Sequence, residues 1–375
     1  MKKKPAKSTL SVHVGSVGDP QFGGIVNPIY PSAAYDYDSL VRYPRYFNTP
    51  NHQAAAEKLA ALENGEEALL FSTGMAAIMT SIFGVMQAGD HMVLQNDLYG
   101  GTHYAILHEL NRFGMEYTMV DASDPRNFER AIRKNTKMLY VETPSNPLLK
   151  ITDLTAVARI AKKHALLTMI DNTFASPVNQ NPIDIGFDIV AHSGTKYIGG
   201  HSDLMCGVVV TTHKLMELIR PCAVNFGGSL DANTSWLVER SLKTIVLRVQ
   251  QQNSNALKLA QFLEAESKVG AVYYPGLKNH PGYRIARKQM PGGFGGMLSF
   301  EVKGDSDKFI KKLKYIKKAV SLGGVESTIA QPFRTSHKKL SADERKALGI
   351  SDRLVRLSVG IEQVDDLIKD IKEAL

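Results

Sequence analysis

The sequence predicts an α/β protein: a large, doubly wound, mostly parallel sheet covered by helices, followed by a smaller C-terminal α+β domain. Three observations predict it. Short apolar segments from EALLF to CGVVVT alternate with amphipathic stretches of helical period, the pattern of a parallel sheet buried on both faces. The alternation then stops at one long helical stretch, about 234 to 266, and the segments beyond it are shorter and mixed. The 375 residues are enough for two cored domains at roughly 150 residues each.

Taken in order, residues 1 to 50 are rich in Pro, Gly, Tyr and Asn and read as an extended arm without a core. A helix runs from 51 through HQAAAEKLAALENG, with Gly65 as its stop. Strands EALLF, HMVLQ, MEYTMV, KMLYVE, ALLTMID, FDIVAHS and CGVVVT come next. Between them lie MAAIMTSIFGVMQ, helices from about 102 and 125, and LTAVARIAKKH. After the long helix come AVYYPG, GGMLSFEV, a Lys-rich helix, KAVSLGG, RLVRLSVGIE and a final helix. The expected division is an arm over 1–50, a large domain over 51–232 and a small domain over 233–375.

Hydrophobic content of 43% and charged content of 22% are ordinary globular values. A formal charge of +8 permits a nucleic-acid or membrane-surface partner, but the excess has no single home. Lys2, Lys3, Lys4 and Lys7 gather at the N-terminus, and KKLKYIKK (311–318) reads as the wet side of a helix. The balance equally suits anionic small molecules. Cys206 and Cys222 have no C-x-x-C spacing and no nearby pair of His ligands, so neither a disulfide framework nor a metal site is indicated. The basic start has no apolar segment behind it, and no run reaches 18 apolar residues. The expectation is a soluble, cytoplasmic protein with no nucleic-acid or membrane partner.

The stretch SGTKYIGGHSD (193–203) sets Lys196 between a Ser-Gly-Thr run and a glycine pair. A Walker-type lysine needs G-x-x-x-x-G-K-[ST], which the order Gly194, Thr195, Lys196, Tyr197 does not match. Two readings remain: a solvated surface cation, or an amine desolvated among polar partners that forms an imine with a carbonyl. The strand ends decide, because ligands of doubly wound sheets bind beyond the strands' carboxyl ends. Ser72, Thr73, Gly74 and Met75 follow EALLF and open a helix. KMLYVE ends at Glu142 and runs into TPSNP with Asn146; ALLTMID ends at Asp171, followed by Asn172 and Thr173. FDIVAHS ends at Ser193, with Thr195 and Lys196 just beyond. Singly, Asp171 reads as a cap or turn residue and STGM as an N-cap with a glycine turn.

Together they meet the needs of one cofactor, pyridoxal 5'-phosphate. Its phosphate suits the free N–H groups of a helix N-terminus, here Gly74 and Met75, backed by hydroxyls such as Ser193 and Thr195. Its ring nitrogen calls for a carboxylate, Asp171, which precedes Lys196 by 196 − 171 = 25 residues. Its flat face calls for an aromatic, Tyr99, and its aldehyde for a lysine, Lys196.

The segments YPRYFNTPN, FSTGMAAI, DLYGGTHY, VETPSNP, DNTFASP, SGTKYIGGHSD, AVSLGGVES and LVRLSVGIE span nearly the whole chain. In this order they resemble the pyridoxal-phosphate enzymes of cysteine and methionine metabolism. That trans-sulfuration family includes cystathionine γ-synthase, cystathionine γ- and β-lyases, methionine γ-lyase and O-acetylhomoserine sulfhydrylase. The resemblance implies the fold-type I, aspartate aminotransferase-like architecture, assembled as a homotetramer, a dimer of dimers with shared active sites. It implies that Tyr43 and Arg45 reach the phosphate of the neighbouring subunit, with Tyr43 also near the substrate. Tyr99 then stacks on the cofactor, Asn146 lies near its phenolic oxygen and Asp171 partners its ring nitrogen. Ser321 and Arg356 hold the substrate α-carboxylate. Arg356 also alternates with Val355, Leu357 and Val359 in RLVRLSVG, so it points away from the apolar face.

The implied chemistry has an amino-acid substrate displace Lys196, which then serves as general base and proton shuttle, with Tyr99 assisting near the leaving group. Loss of the Cγ substituent yields 2-oxobutanoate, ammonia and a thiol. The alternative outcome is γ-replacement on an O-acylhomoserine. Departures from the family pattern bear on the choice. Tyr104 stands where many members carry an arginine for a distal carboxylate, and His52 closes TPNH where the family has N-P-T-R. Val320 precedes Ser321, as in methionine γ-lyases, yet Gly101 stands where those enzymes carry cysteine. Arg334 in QPFRTSH, or His52, could supply a distal cation. The expectation is a carbon–sulfur γ-lyase acting on methionine, homocysteine or cystathionine. A non-enzymatic binding protein with a degenerate fold has only the basic charge behind it, and intact Lys196 and Asp171 speak against it.

Overall fold

The computed structural model describes residues 4–38, 41–336, 338 and 341–375; Lys2 and Lys3 of the basic N-terminus lie outside them. Strands β1 (Glu67–Phe71), β2 (His91–Gln95), β3 (Glu116–Val120), β4 (Thr136–Glu142), β5 (Leu167–Asp171), β6 (Ile189–Ser193) and β7 (Gly207–Thr211) form one sheet in the order β1-β7-β6-β5-β4-β2-β3. Pairings from β3 through β6 are parallel, while β7 runs antiparallel to both β6 and β1. The mostly parallel, doubly wound expectation is met. The strands read as apolar runs because both faces are covered. On β4, Met138 and Tyr140 enter one core cluster, while Leu139 and Val141 enter the cluster on the opposite face.

Helices α1 (Lys7–His13), α2 (Pro50–Glu63), α3 (Gly74–Val85), α4 (Gly100–His108), α5 (Arg126–Arg130), α6 (Leu154–Lys163), α7 (Ser176–Asn179), α8 (Pro182–Ile185) and α9 (His213–Phe226) belong with this sheet. Their starts follow from capping: Thr73, Asp153 and Thr212 each accept a hydrogen bond from a first-turn N–H of α3, α6 and α9. Helix α2 stops one residue before the expected Gly65, at Asn64 in the left-handed conformation. The arm has few regular elements, but it is not without core contacts: it contains α1, whose Leu10 is buried in the same cluster as Ala55 and Leu59, and its Phe47 is buried in the opposite cluster with Phe71.

The long helix expected over 234–266 is two helices, α10 (Ala232–Leu242) and α11 (Ile245–Ala265). The Arg248 guanidinium enters the break, donating to the Ser241 carbonyl at 2.9 Å and to Thr244 Oγ1 at 3.2 Å.

The second sheet has the order β10-β11-β12-β9-β8, with β8 (Val269–Tyr273), β9 (Met297–Val302), β10 (Lys317–Lys318), β11 (Thr328–Ala330) and β12 (Leu354–Ser358). It packs with α11 and α15 (Val364–Ala374) around Leu298, Phe300, Val355 and Leu357. Helices α12 (Tyr283–Gln289), α13 (Ser306–Lys312) and α14 (Ala342–Ala347) complete the chain.

One expectation fails here. KKLKYIKK is not one helical face: α13 ends at Lys312, and the Asp370 carboxylate takes the N–H groups of Lys314, Tyr315 and Ile316 at 2.8, 2.9 and 3.1 Å. Within KAVSLGG the strand ends at Lys318, and Ser321 and Gly323 adopt left-handed φ of 75° and 77°. Among the described residues, no helix is long and apolar enough to cross a membrane.

Candidate active site

The parallel strands β4, β5 and β6 end side by side, at Glu142, Asp171 and Ser193. Asp171 is buried, and its Oδ1 accepts from the Thr173 N–H at 3.0 Å and from the Thr173 hydroxyl. That hydroxyl in turn accepts from the Ser193 N–H at 2.8 Å, tying β5 to β6. Burial raises the Asp171 carboxyl above the ordinary aspartate value, against the opposing pull of the two Thr173 hydrogen bonds and of His192 and Lys196. Asp171 Oδ2 has no hydrogen-bond partner among the described residues. Behind the carboxylate, His192 Nε2 and Asn172 Nδ2 both meet Glu63 Oε1, at 2.6 and 2.8 Å.

Lys196 sits in a tight loop just after β6. Its N–H donates to the Ser193 carbonyl at 3.1 Å, and the Gly200 N–H returns to the Lys196 carbonyl at 2.7 Å. Arg248 clamps this loop from below, donating to the Tyr197 and Ile198 carbonyls at 2.9 and 3.4 Å. Gly200 must be glycine: its φ is 69°, and a Cβ would fall 1.7 Å from Arg248 Nη1. Lys196 Nζ reaches Ser321 Oγ at 2.8 Å. Burial first, and the Arg356 charge second, bring the amine down to about 8 against the pull of Asp171. The solvated-cation reading of Lys196 therefore fails on its surroundings.

At the start of α3 the N–H groups of Gly74 and Met75 have no backbone partner, whereas Thr73 Oγ1 caps Ala76 at 3.0 Å. A Cβ on Gly74 would meet Ser193 Cα and Cβ at 2.9 Å, so glycine lets the helix end close onto β6. The hydroxyls of Ser72 and Ser193 have no hydrogen-bond partner among the described residues and border this corner. The Thr195 hydroxyl differs. It donates to the Cys206 carbonyl at 3.3 Å and accepts from its N–H at 3.0 Å, so it braces the loop.

Arg356 enters from the central strand β12 of the second sheet, is buried, and donates to Asn146 Oδ1 at 2.7 Å. Burial lowers the guanidinium to about 10. Its neighbours Val355 and Leu357 point the other way into the second core. Tyr99, at the start of α4, is 46% exposed and lines a cavity of ≈ 700 Å³ together with Asn146, Tyr104 and Ser336. A second cavity, ≈ 880 Å³, runs past Ser72, Thr195, Val320 and Ser321. Tyr43 and Arg45 stand apart on the exposed arm: Arg45 donates to the Val224 carbonyl at 3.0 Å and lies over the rings of Tyr43 and Tyr46.

Neither expected distal cation is free to act as one. His52 is buried, with Nδ1 2.7 Å from Thr49 Oγ1 and Nε2 2.6 Å from the Leu230 carbonyl, and burial lowers its affinity for a second proton. Arg334 turns to Asp307 at 2.6 Å and rests over Phe333. Two residues of the site are not evident from the sequence. Arg248 occupies the buried stripe of α11 with Ile245, Val249, Gln252 and Ala256, and an arginine at helical spacing among buried positions is the one signal it leaves. Glu142 shows itself there only as a strand end.

These residues fit pyridoxal phosphate: a helix N-terminus with two open N–H groups, two unpartnered hydroxyls, a buried carboxylate with one oxygen open, and a desolvated amine. Comparison with known proteins agrees. Residues 8–375 match the family model described as Cys/Met metabolism PLP-dependent enzyme. The chain is 45% identical to the cystathionine gamma-lyase of Bacillus subtilis (strain 168), covering 98% of this chain and 99% of that protein. It is 43% identical to the cystathionine beta-lyase of Lactococcus lactis subsp. cremoris (strain MG1363), covering 98% of each. The crystal structure of cystathionine gamma-lyase from Lactobacillus plantarum complexed with L-serine superposes with a TM-score of 0.95, at 40% identity over 99% of this chain and 98% of that one. A site of this composition on a matching fold makes the chain a fold-type I enzyme of the pyridoxal-phosphate-dependent family of cysteine and methionine metabolism, with pyridoxal 5'-phosphate as its cofactor.

Proposed function

We propose that the enzyme is a carbon–sulfur lyase that eliminates the Cγ substituent of a sulfur amino acid, L-cystathionine, L-homocysteine or L-methionine, and with one water gives 2-oxobutanoate, ammonia and a thiol, or hydrogen sulfide in the case of homocysteine. The observation that carries the reading is Lys196: a half-buried amine brought to about 8 and held 2.8 Å from Ser321 Oγ. An amine so tuned accepts and returns protons near neutral pH. The names of the two relatives, both cystathionine lyases, support the carbon–sulfur bond as the target.

When bound, pyridoxal phosphate supplies a carbonyl carbon for the substrate amine and a protonated ring that withdraws electrons from Cα. In this reading Asp171 Oδ2 keeps the ring nitrogen protonated, and the N–H groups of Gly74 and Met75 with the Ser72 and Ser193 hydroxyls hold the phosphate. Thr173 orients Asp171, and Thr195 steadies the lysine loop. Arg356, which is bonded to Asn146, and Ser321 hold the substrate α-carboxylate. Lys196 Nζ takes the Cα proton and moves protons to the neighbouring carbons, and the Tyr99 hydroxyl protonates the departing sulfur. Tyr43 and Arg45 serve the site of a neighbouring subunit. Support comes from their exposure on an arm that also exposes Phe22 (81%), Ile25 (90%) and Tyr37 (87%), a pattern of surface awaiting a partner. We infer a homotetramer built from dimers, with each chain divided into the arm, a large domain to residue 232 and a small domain from 233.

One incubation tests the reaction. The purified enzyme with pyridoxal phosphate is given L-cystathionine, L-methionine and L-homocysteine separately, and the oxo acid is identified. 2-Oxobutanoate supports γ-elimination. Pyruvate with homocysteine from cystathionine would instead make it a β-lyase. Silence on all three, with turnover of an O-acylhomoserine and a thiol, would make it a γ-replacement enzyme.

A further inference from the structure

Glu142 and Asp171 are register partners, the last residues of the adjacent parallel strands β4 and β5, and both carboxyls are buried. Their surroundings differ sharply. Asp171 has two hydrogen bonds from Thr173 and faces Lys196 and His192. The Glu142 carboxyl has one hydrogen bond, from the Tyr99 N–H to Oε2 at 2.8 Å, and its Oε1 has no hydrogen-bond partner among the described residues. Gln95 grips only the Glu142 backbone, accepting from its N–H at 2.9 Å and donating to its carbonyl at 2.8 Å.

Four charged or titratable groups face the Glu142 carboxyl: Asp171 from β5, Asp97 from the loop before α4, Tyr140 from β4 itself and Arg356 from β12. Arg356 acts on it less than burial and Asp171 do, and its hydrogen bond goes to Asn146. Two carboxylates at neighbouring strand ends repel, and the better-stabilised one keeps the charge. We propose that Glu142 is a positioning residue that works as a neutral carboxylic acid, fixing the backbone of Tyr99 at the start of α4 while leaving Asp171 the charged partner for the cofactor ring. Burial and the Asp171 charge both push its proton affinity well up, in agreement with that role. A charged Glu142 would hold the Tyr99 N–H more strongly but would draw a proton onto Asp171 and weaken its grip on the ring nitrogen. The role holds whichever sulfur amino acid is the substrate.

The holoenzyme and its Glu142→Gln variant are compared by infrared difference spectroscopy in the carboxylic-acid carbonyl region. A protonated-acid band at neutral pH that disappears in E142Q is expected; a holoenzyme without that band overturns the proposal. Retention of pyridoxal phosphate supplies the second readout. Glu142→Leu, which has no acceptor for the Tyr99 N–H, is expected to weaken cofactor affinity by about tenfold. E142Q, which keeps a neutral acceptor, is expected to recover most of that loss. E142Q as damaged as E142L would mean that the charge matters, and E142L as tight as the parent would mean that the carboxyl positions nothing. Should E142L fail to fold, the infrared comparison decides alone.

Discussion

Lys196 Nζ donates to Ser321 Oγ at 2.8 Å, so a loop of the first sheet's domain and an irregular segment of the second meet at the amine. With that amine brought to about 8, its neutral, attacking form gains population as pH rises through this value. The rate at which cofactor-free protein takes up pyridoxal phosphate, followed by stopped-flow absorbance, is expected to climb through about pH 8 and level off. A profile still climbing toward the ordinary lysine value of 10.5 would contradict that lowering. Stability depends on the same shift. The folded value lies below the unfolded one, so burying this lysine opposes folding below about pH 8, and the opposition fades between about 8 and 10.5.

Asp171→Asn keeps the shape of the side chain and removes the charge that a pyridinium needs. It is expected to lower kcat by roughly 10- to 100-fold, the worth of a charge-assisted hydrogen bond. Unchanged turnover in D171N would remove Asp171 from the role assigned to it.

Gly74→Ala forces a methyl group to within 2.9 Å of Ser193 Cα and Cβ. Helix α3 must retreat from β6, and the open N–H groups retreat with it. The expected result is a loss of about 1–3 kcal/mol in stability by urea unfolding, together with weaker cofactor binding in an absorbance titration. A variant with normal cofactor affinity would show that this helix end does not grip the phosphate.

Arg248→Met removes the donors that satisfy the Tyr197, Ile198 and Ser241 carbonyls. Buried carbonyls left without donors cost about 1–3 kcal/mol, so the melting temperature should fall by several degrees. The same variant is expected to slow attachment of the cofactor to Lys196, because the loop that presents the amine loses its clamp. A lowered melting temperature with unchanged attachment would confine Arg248 to a structural role.

Much of this is legible in the sequence, for reasons that differ from residue to residue. The seven strands of the first sheet announce themselves because burial on both faces makes them continuous apolar runs such as KMLYVE and CGVVVT. Lys196, Asp171 and the α3 start are readable because chemistry collects at strand ends and each carries a distinctive local pattern. The hidden features depend on partners distant in the chain. Nothing local in 234–266 shows that Arg248 will cut one helix into two by reaching the loop at Tyr197. Likewise, nothing in KKLKYIKK reveals that Asp370, more than fifty residues on, will take its N–H groups. Arg334 and His52 look like free cations only because Asp307 and the Leu230 carbonyl cannot be paired with them by spacing.

The guanidinium of Arg248 touches three places at once: a carbonyl of the lysine loop, a carbonyl in the last turn of α10 and the hydroxyl of Thr244, just before α11. The junction between α10 and α11 lies where a hinge would be expected, yet a swing of the second sheet about that point would tear donors from the loop that carries Lys196. Any rotation of the second sheet about this junction would therefore be felt at the reactive amine.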